Sequence, residues 1–453
     1  MNDINTENQA PLREWIYFSL VGIRGQALGS YYRHILTEDR SGISRDTSAR
    51  LLRNLFIHCK ESVPYYAKII QEVGDSYLDD PIDYLHRIPI LSRDLLRKSY
   101  NELKSSDLHR RRWFLNTTGG STGDPIRFIQ DREYAARSGA ITLLFSKLAG
   151  REFGESELYL WGSERDIIRG SEKWQARLIH KLTNSSFINA FRMTPETMRG
   201  AISLLNQQKP KLIVAYVDSI YALARFVERE GLAVVPQIAI MTSAGTLYPF
   251  MREKIERVFQ CRVFNRYGAR EVGDIACERP GLDGLWVAPW GNYIEIIDKD
   301  GNLVTDGTEG DILVTSLTNY AMPLIRYRIG DRGILTPSSN NYRYQNEQVF
   351  ENITGRTTDI IITKNGDIVH GGYFMVLLFY RDWILHYQVV QKSYSHLVFR
   401  IIKSDSTYQQ SELDEITKDS QIVMGDDCKI EFKFVNEISP SPSGKYRYII
   451  SEL

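Results

Sequence analysis

The sequence predicts α/β plus α+β architecture: a large N-terminal domain over residues 1–355, with mixed and parallel sheets, followed by a small α+β domain over 356–453. Three observations carry this. Short apolar or β-branched runs at 158–161, 212–215, 238–242 and 262–267 alternate with helical stretches near 172–183, 196–207, 218–231 and 248–259. Strands alternating with helices build parallel βαβ units. After about Gly284 the texture changes to alternating apolar and polar residues with Gly turns, as at 294–298 and 311–314, so a β-rich subdomain with antiparallel or barrel character is expected over about 285–355. From Arg356 onward, strand-like runs at 360–363, 397–402 and 428–434 mix with helical stretches near 372–381 and 410–420. That is enough chain for one small domain.

The remaining elements follow in order. Residues 15–60 read as helices, with Leu51, Leu52, Leu55 and Phe56 at helical spacing. Val63-Pro64 ends that run, because proline disfavours helix in the residue before it. Ile88-Pro89-Ile90-Leu91-Ser92 reads as an extended link, and Ser92 is placed to cap a helix from Arg93. A further helix is expected near 131–149. The stretch from Trp15 to Ile35 carries Arg24 and Arg33 and reads as an amphipathic helix packed on the body; a membrane-surface helix is the minority reading.

Composition narrows the function. The chain has 453 residues, a length that suits about three domains or subdomains. Lys and Arg total 56, as do Asp and Glu, so the chain is neutral, which argues against duplex binding through a broad basic field and leaves a local basic channel open. Cys59, Cys261, Cys277 and Cys428 have neither zinc-knuckle nor redox-pair spacing, which fits a reduced, cytoplasmic compartment. No signal peptide and no run of 18 apolar residues is present.

The sharpest motif is Thr117-Thr118-Gly119-Gly120-Ser121-Thr122-Gly123-Asp124-Pro125, in which seven of nine residues are Gly, Ser or Thr. Glycines let the backbone approach an anion and hydroxyls add donors. Phosphate binding is favoured over a plain hairpin turn, and the spacing excludes a Walker A loop. A second motif, Asn265-Arg266-Tyr267-Gly268-Ala269-Arg270-Glu271, runs an apolar strand into an expected Tyr-Gly turn with a carboxylate close behind. A carboxylate at a strand's carboxyl end is placed to hold Mg²⁺ against a phosphate. A solvated ion pair is the plainer alternative. Tyr327-Arg328-Ile329-Gly330-Asp331, Thr354-Gly355-Arg356-Thr357-Thr358-Asp359 and Ser443-Gly444-Lys445 follow, each by itself no more than a charged turn.

In this order the motifs resemble those of the adenylate-forming enzymes. The nearer likeness is to the phenylacetate–coenzyme A ligase branch, including its relatives in capsule and surface-polysaccharide gene clusters. Ser62-Val63-Pro64-Tyr65-Tyr66 and the Ile88–Ser92 link look like that branch too, so the likeness spans roughly residues 50–450. It implies that Thr117, Thr118, Gly119, Gly120, Ser121, Thr122 and Gly123 hold ATP phosphates. Asp124 stands where the family usually has Lys. It implies that Ser243, Ala244 and Gly245 lie along the adenine, with Thr246 following. Tyr267, followed by Gly268, stacks on the adenine, Glu271 binds Mg²⁺, and Asp331 takes the ribose hydroxyls. Arg356 marks the hinge to a mobile C-terminal domain carrying the catalytic Lys445. Thr358 and Asp359 depart from the usual hinge pattern.

The implied reaction activates a small-molecule or glycan-linked carboxylate as its acyl-adenylate, with a thiol (coenzyme A) or an amine as acceptor. An amide-forming ligase acting on a uronic acid or another acid-bearing sugar is the alternative. A non-catalytic nucleotide-binding regulator and a membrane-associated scaffold are the readings of other classes. Trp161, Tyr216 and Ser219 are candidates for the acyl pocket, against a packing role for the two aromatics. His370 reads as structural. No basic cluster suited to a coenzyme A 3′-phosphate stands out in the sequence.

Overall fold

The computed structural model describes residues 10–23, 27–41, 46–117, 126–161, 174–190, 194–336, 347–356, 360–366, 368–379, 381, 383–404, 408–439 and 447–453. It opens with helices α1 (Ala10–Ile23), α2 (Leu28–Ser41), α3 (Thr47–Ser62), α4 (Pro64–Val73), α5 (Pro81–Leu85) and α6 (Arg93–Lys98). The single helix expected between Trp15 and Ile35 is therefore two. They fold back on each other, with the Phe18 ring 6.0 Å from that of Tyr32. Gly29 permits the approach, since a Cβ there would sit 2.8 Å from Phe18 Cγ. Val63 is extended, and α4 restarts at once with Pro64 in its first turn, where no N–H is missed. Ser92 Oγ accepts from Leu95 N at 3.1 Å and caps α6 as expected.

A two-stranded hairpin follows, β1 (Trp113–Thr117) against β2 (Arg127–Asp131), and then α7 (Arg132–Leu148). The alternating region comes next: β3 (Glu157–Trp161), α8 (Trp174–Thr183), β4 (Ser185–Asn189), α9 (Pro195–Gln208), β5 (Leu212–Tyr216), α10 (Val217–Glu230), β6 (Ala239–Ser243), α11 (Pro249–Phe259) and β7 (Arg262–Ala269). Its strands pair in parallel in the order β7-β6-β5-β3-β4. From β7 the sheet continues without a break through β8 (Gly273–Cys277), β9 (Leu285–Val287), β13 (Val349–Arg356), β12 (Tyr327–Leu335), β11 (Gly310–Ser316) and β10 (Asn292–Ile297). The β-rich stretch after Gly284 thus extends the same eleven-stranded sheet; β7–β8, β8–β9, β13–β9 and β10–β11 all pair antiparallel.

Among the described residues, apolar clusters pack against this sheet. One sets Leu52, Phe56, Tyr66 and Tyr84 from α3, α4 and α5 against Phe128, Ile275, Ile294, Val314 and Tyr327. Another packs Tyr32, Ile141 and Phe145 from α2 and α7 against Leu212, Met241 and Phe264 of the parallel strands. Burying such side chains supplies about 1.5–3 kcal/mol each before entropy is counted.

The chain divides into two compact units, the first extending to Ile353 and the second comprising Thr354–Leu453 with Gly330–Arg332. In the second, β14 (Ile360–Ile362) pairs with β15 (Ile368–His370), and α12 (Gly371–Phe379) and α13 (Gln410–Met424) join a four-stranded sheet. That sheet has the order β18 (Lys429–Phe434), β17 (His396–Lys403), β16 (Ile384–Ser393), β19 (Ile449–Ser451). Among the described residues no helix is long and apolar enough to cross a membrane.

One ion pair anchors the link that precedes α6. Arg326, held at φ +52°, gives a two-pronged contact to Glu295 at 3.0 and 3.2 Å and donates to the carbonyls of Ile88 (2.7 Å) and His86 (3.1 Å). Leu91 then pairs in parallel with Tyr327 at the start of β12. Both charged side chains are buried. Arg326→Ala leaves the buried Glu295 only His86, whose Nε2 lies 3.9 Å away, and is expected to lower the unfolding free energy by about 3–5 kcal/mol. Urea unfolding reads this; a midpoint close to wild type would show that the pair does not hold the link.

Candidate functional site

The parallel registers align the carboxyl ends of four strands. Leu160 of β3 pairs with Ala215 of β5, Tyr216 with Ser243 of β6, and Thr242 with Asn265 of β7. Trp161, Tyr216, Ser243 and the end of β7 therefore share one edge. In open α/β sheets, ligands bind outside that edge. The Trp161 and Tyr216 rings lie against each other, 4.2 Å between centroids and tilted by 39°. Ser219 is buried in the first turn of α10. Ala244 leaves β6 at φ +63°, a left-handed conformation that costs a residue with a Cβ about 1–2 kcal/mol. Gly245 then comes so close to α10 that a Cβ would stand 3.2 Å from Val217 Cβ. Ser243, Ala244 and Gly245 are thus pressed against the segment that carries Tyr216 and Ser219.

Tyr267 and Gly268 lie elsewhere than expected in the local structure. They belong to β7 itself; the turn comes later, closed by Val272 N donating to Ala269 O at 3.2 Å. A register shift between Tyr267 and Gly268 marks a bulge. There the partner strand approaches so closely that a Cβ on Gly268 would meet Gly273 O at 2.7 Å. This close approach is why a glycine read as a turn residue sits in a strand. Tyr267 is half-buried, its ring edge-on to Phe350 at 5.8 Å.

Glu271 occupies the turn between β7 and β8 and is only 6% exposed. The Tyr327 hydroxyl of β12 donates to its Oε1 at 3.2 Å. Burial, with the Glu271 charge next to it, pushes the Tyr327 hydroxyl above the usual tyrosine range, so it stays a donor at neutral pH. Among the described residues Glu271 makes no ion pair. A buried carboxylate without a cation is costly, so the position fits a bound divalent cation. Among the described residues there is no cluster of three His, Cys, Asp or Glu groups, so protein groups alone do not form a closed metal cage.

Gln130 is a residue that motif reading missed. It is 4% exposed and spans three segments. Its Oε1 accepts from Asn116 Nδ2 at 3.1 Å, and its Nε2 donates to the carbonyls of Arg270 (3.0 Å) and Glu271 (3.3 Å). Asn116 Oδ1 in turn accepts from Thr117 N at 2.9 Å. The stem of the Ser/Thr/Gly segment is thereby tied to the Glu271 turn. The available signal was weak, a polar residue directly after the apolar pair Phe128-Ile129.

Other expected residues are brought less close. Thr117 ends β1 opposite Arg127, so the Ser/Thr/Gly segment connects a hairpin; Thr118, Gly119, Gly120, Ser121, Thr122 and Gly123 lie outside the described residues. Lys445, Thr358 and Asp359 also lie outside them. Arg356 is the last residue of β13, and its side chain is not among the described parts. Asp331 is on β12, and strand alternation puts it on the same face as Tyr327 and Ile329. Cys277 is fully buried among apolar neighbours, which pushes its thiol far above the usual range and leaves it no nucleophilic role.

Residues 361–452 match the family model described as the CapK C-terminal domain. Protein CapK of Staphylococcus aureus is 23% identical over 402 residues, which cover 87% of this chain and 86% of that protein. The phenylacetate–coenzyme A ligase of Thermus thermophilus is 21% identical over 361 residues, covering 75% and 76%. The fold superposes on that of 2-hydroxyisobutyryl-CoA ligase, in the postadenylation state with R3-HIB-AMP, with a TM-score of 0.69 at 18% identity over 89% of both chains. The large mixed-sheet unit and small α+β unit therefore define the fold of the adenylate-forming ligases. Along most of its length the chain is similar to Protein CapK and to a phenylacetate–coenzyme A ligase.

Gln130→Leu keeps the volume but strands the Asn116 amide and two turn carbonyls. A loss of about 1–3 kcal/mol for each buried group left unsatisfied is the expected scale. Denaturant unfolding against wild type measures it.

Proposed function

We propose that the protein is an ATP-dependent ligase that activates a carboxylic acid as its acyl-adenylate, releases pyrophosphate, and passes the acyl group to a thiol or an amine. The observation that carries this reading is Glu271, a buried carboxylate without an ion-pair partner among the described residues, in the turn that follows Tyr267 at the carboxyl end of β7. The branch likeness supports it.

A carboxylate is a poor electrophile. Its oxygen attacks the α-phosphorus of ATP, the bond to the pyrophosphate oxygen breaks, and a mixed anhydride forms. Two anions must meet, so positive charge is needed where charge develops. Lys445 supplies it from the C-terminal unit. Thr117–Gly123 hold the phosphates through backbone N–H groups and hydroxyls, Tyr267 stacks on the adenine, and Asp331 accepts from the ribose hydroxyls. Glu271 would hold Mg²⁺, which would offset phosphate charge. Tyr327 orients the Glu271 carboxylate, and Gln130 holds the turn that carries it. Trp161, Tyr216 and Ser219 line the acyl side. The acceptor then attacks the acyl carbon, and AMP leaves with one of the original carboxylate oxygens. Movement of the C-terminal unit about Arg356–Asp359 withdraws Lys445 between the two steps.

A second reading differs in the acceptor. An amide-forming ligase on a uronic acid or another acid-bearing sugar is favoured by the match to Protein CapK along most of the chain and to its C-terminal domain. A regulator without catalysis is disfavoured, because Glu271, Asp331, Arg356 and Lys445 are all present.

Carboxylate-dependent ATP–pyrophosphate exchange tests the first step. A panel of aryl, fatty, amino and uronic acids should yield one active class, and activity should require Mg²⁺. Lys445→Ala should cut exchange by roughly 10²–10³-fold with unchanged unfolding, as for loss of one electrostatic donor. Normal exchange in that variant would remove Lys445 from the mechanism. Glu271→Gln should raise the Mg²⁺ concentration for half-maximal exchange; an unchanged requirement would remove the metal role.

A further inference from the structure

The parallel registers set side chains in two successive rows on the sheet face that α7 covers. The first row is Tyr159, Val214, Met241 and Phe264, which pair strand to strand and join the apolar cluster that includes Ile141 and Phe145 of α7. The second row lies two residues nearer the carboxyl edge and holds Trp161, Tyr216, Ser243 and Arg266. Burial continues there, but the chemistry changes. Arg266 is 9% exposed, and its guanidinium stands 5.9 Å from the centre of the Trp161 ring.

Arg266 is short of hydrogen bonds. Its Nη1 reaches Asp274 Oδ2 at 3.4 Å, a long contact, and that oxygen already accepts from the Thr142 hydroxyl of α7 at 2.7 Å. Its Nε is buried and has no hydrogen-bond partner among the described residues. Glu157, a buried carboxylate at the start of β3, is held by Arg151 at 3.3 Å. Charge is therefore matched, Arg266 with Asp274 and Arg151 with Glu157; the deficit is in acceptors for Arg266. A buried donor left unpaired is costly, so the position calls for a neutral group that accepts from the guanidinium. A hydroxyl does this and can donate in return to Asp274.

We propose that Arg266 and Asp274 are specificity-determining residues that select a carboxylic acid borne on a hydroxylated ring. The proposal rests on the adenylation reading above and names the class of acid that enters the Trp161–Tyr216 side of that site. The half-buried rings of Trp161 and Tyr216 supply apolar surface for the C–H groups of the acid, and the Arg266–Asp274 couple takes its hydroxyls. An aryl or fatty acid would occupy the same space and leave the Arg266 donor unpaired. A site built to bond a substrate hydroxyl rejects the analogue that lacks it far more strongly than an apolar pocket rejects an added group. A second carboxylate on the acid would meet Asp274 as a like charge, so the couple also selects against dicarboxylic acids.

Pyrophosphate exchange on the whole chain compares glucuronate, galacturonate and quinate with cyclohexanecarboxylate, phenylacetate and glutarate. The wild type should prefer one of the hydroxylated acids over cyclohexanecarboxylate by about 10²-fold or more in kcat/KM. The double variant Arg266→Met/Asp274→Asn removes both charges together, so neither is stranded, and keeps an acceptor for Thr142. Circular dichroism checks its fold, and its preference should fall below about tenfold. Cyclohexanecarboxylate or phenylacetate used as well as the hydroxylated acids by the wild type, or a preference unchanged in the folded double variant, overturns the proposal. A preference for glutarate overturns the hydroxyl class. Ligand-observed NMR, which reads weak binding without turnover, separates this from the adenylation reading. Wild-type binding of a hydroxylated acid but not of cyclohexanecarboxylate, without exchange of any acid, supports the site and removes adenylation. Absence of that selective binding overturns the site.

Discussion

The change of strand sense at β7 is the constraint on which the candidate site depends. On one side β7 pairs in parallel with β6; on the other it pairs antiparallel with β8. β5 and β6 each leave the sheet into a following helix, α10 or α11. β7 instead returns through a tight turn, because antiparallel neighbours need no crossover. That turn stands over the carboxyl edge of the parallel strands, and Glu271 is in it. The bulge at Gly268, with Gly273 at φ +73° on the partner strand, is the backbone adjustment that brings the two strands close enough to hold it there.

Polar side chains then join separate segments to that turn. Gln130 brings in the hairpin, Tyr327 brings in β12, and Arg326, one residue earlier, fixes the start of β12 to the Ile88–Leu91 link. Each of these groups is buried, and in a low dielectric a satisfied network is stiff while a broken one is costly. The cost of misplacing any one segment is thus transmitted to Glu271. A carboxylate held this rigidly suits a role in orienting a cation, for which small displacements matter.

Local chemistry was legible in the sequence wherever one residue decides the outcome. The alternating runs placed β3, β5, β6 and β7 with helices between them, Ser92 marked a cap, and Pro64 marked a helix boundary. Pairings between distant segments were not legible. Nothing local says that β9 pairs with β13, or that the strands after Gly284 continue the parallel sheet. Tyr267-Gly268 looked like a turn because glycine usually signals one; here the glycine serves a close strand approach. Gln130 carries no motif at all. Its importance comes from which carbonyls the fold sets within reach.

The central claim is that the carboxylate oxygen attacks the α-phosphorus of ATP. Isotope transfer tests it most directly. The acid that supports exchange is labelled with oxygen-18 in its carboxyl group, turned over with ATP and acceptor, and the nucleotide and phosphate products are weighed by mass spectrometry. The account predicts AMP carrying one heavy oxygen and unlabelled pyrophosphate. ADP with the label in inorganic phosphate would place the attack on the γ-phosphorus and contradict it.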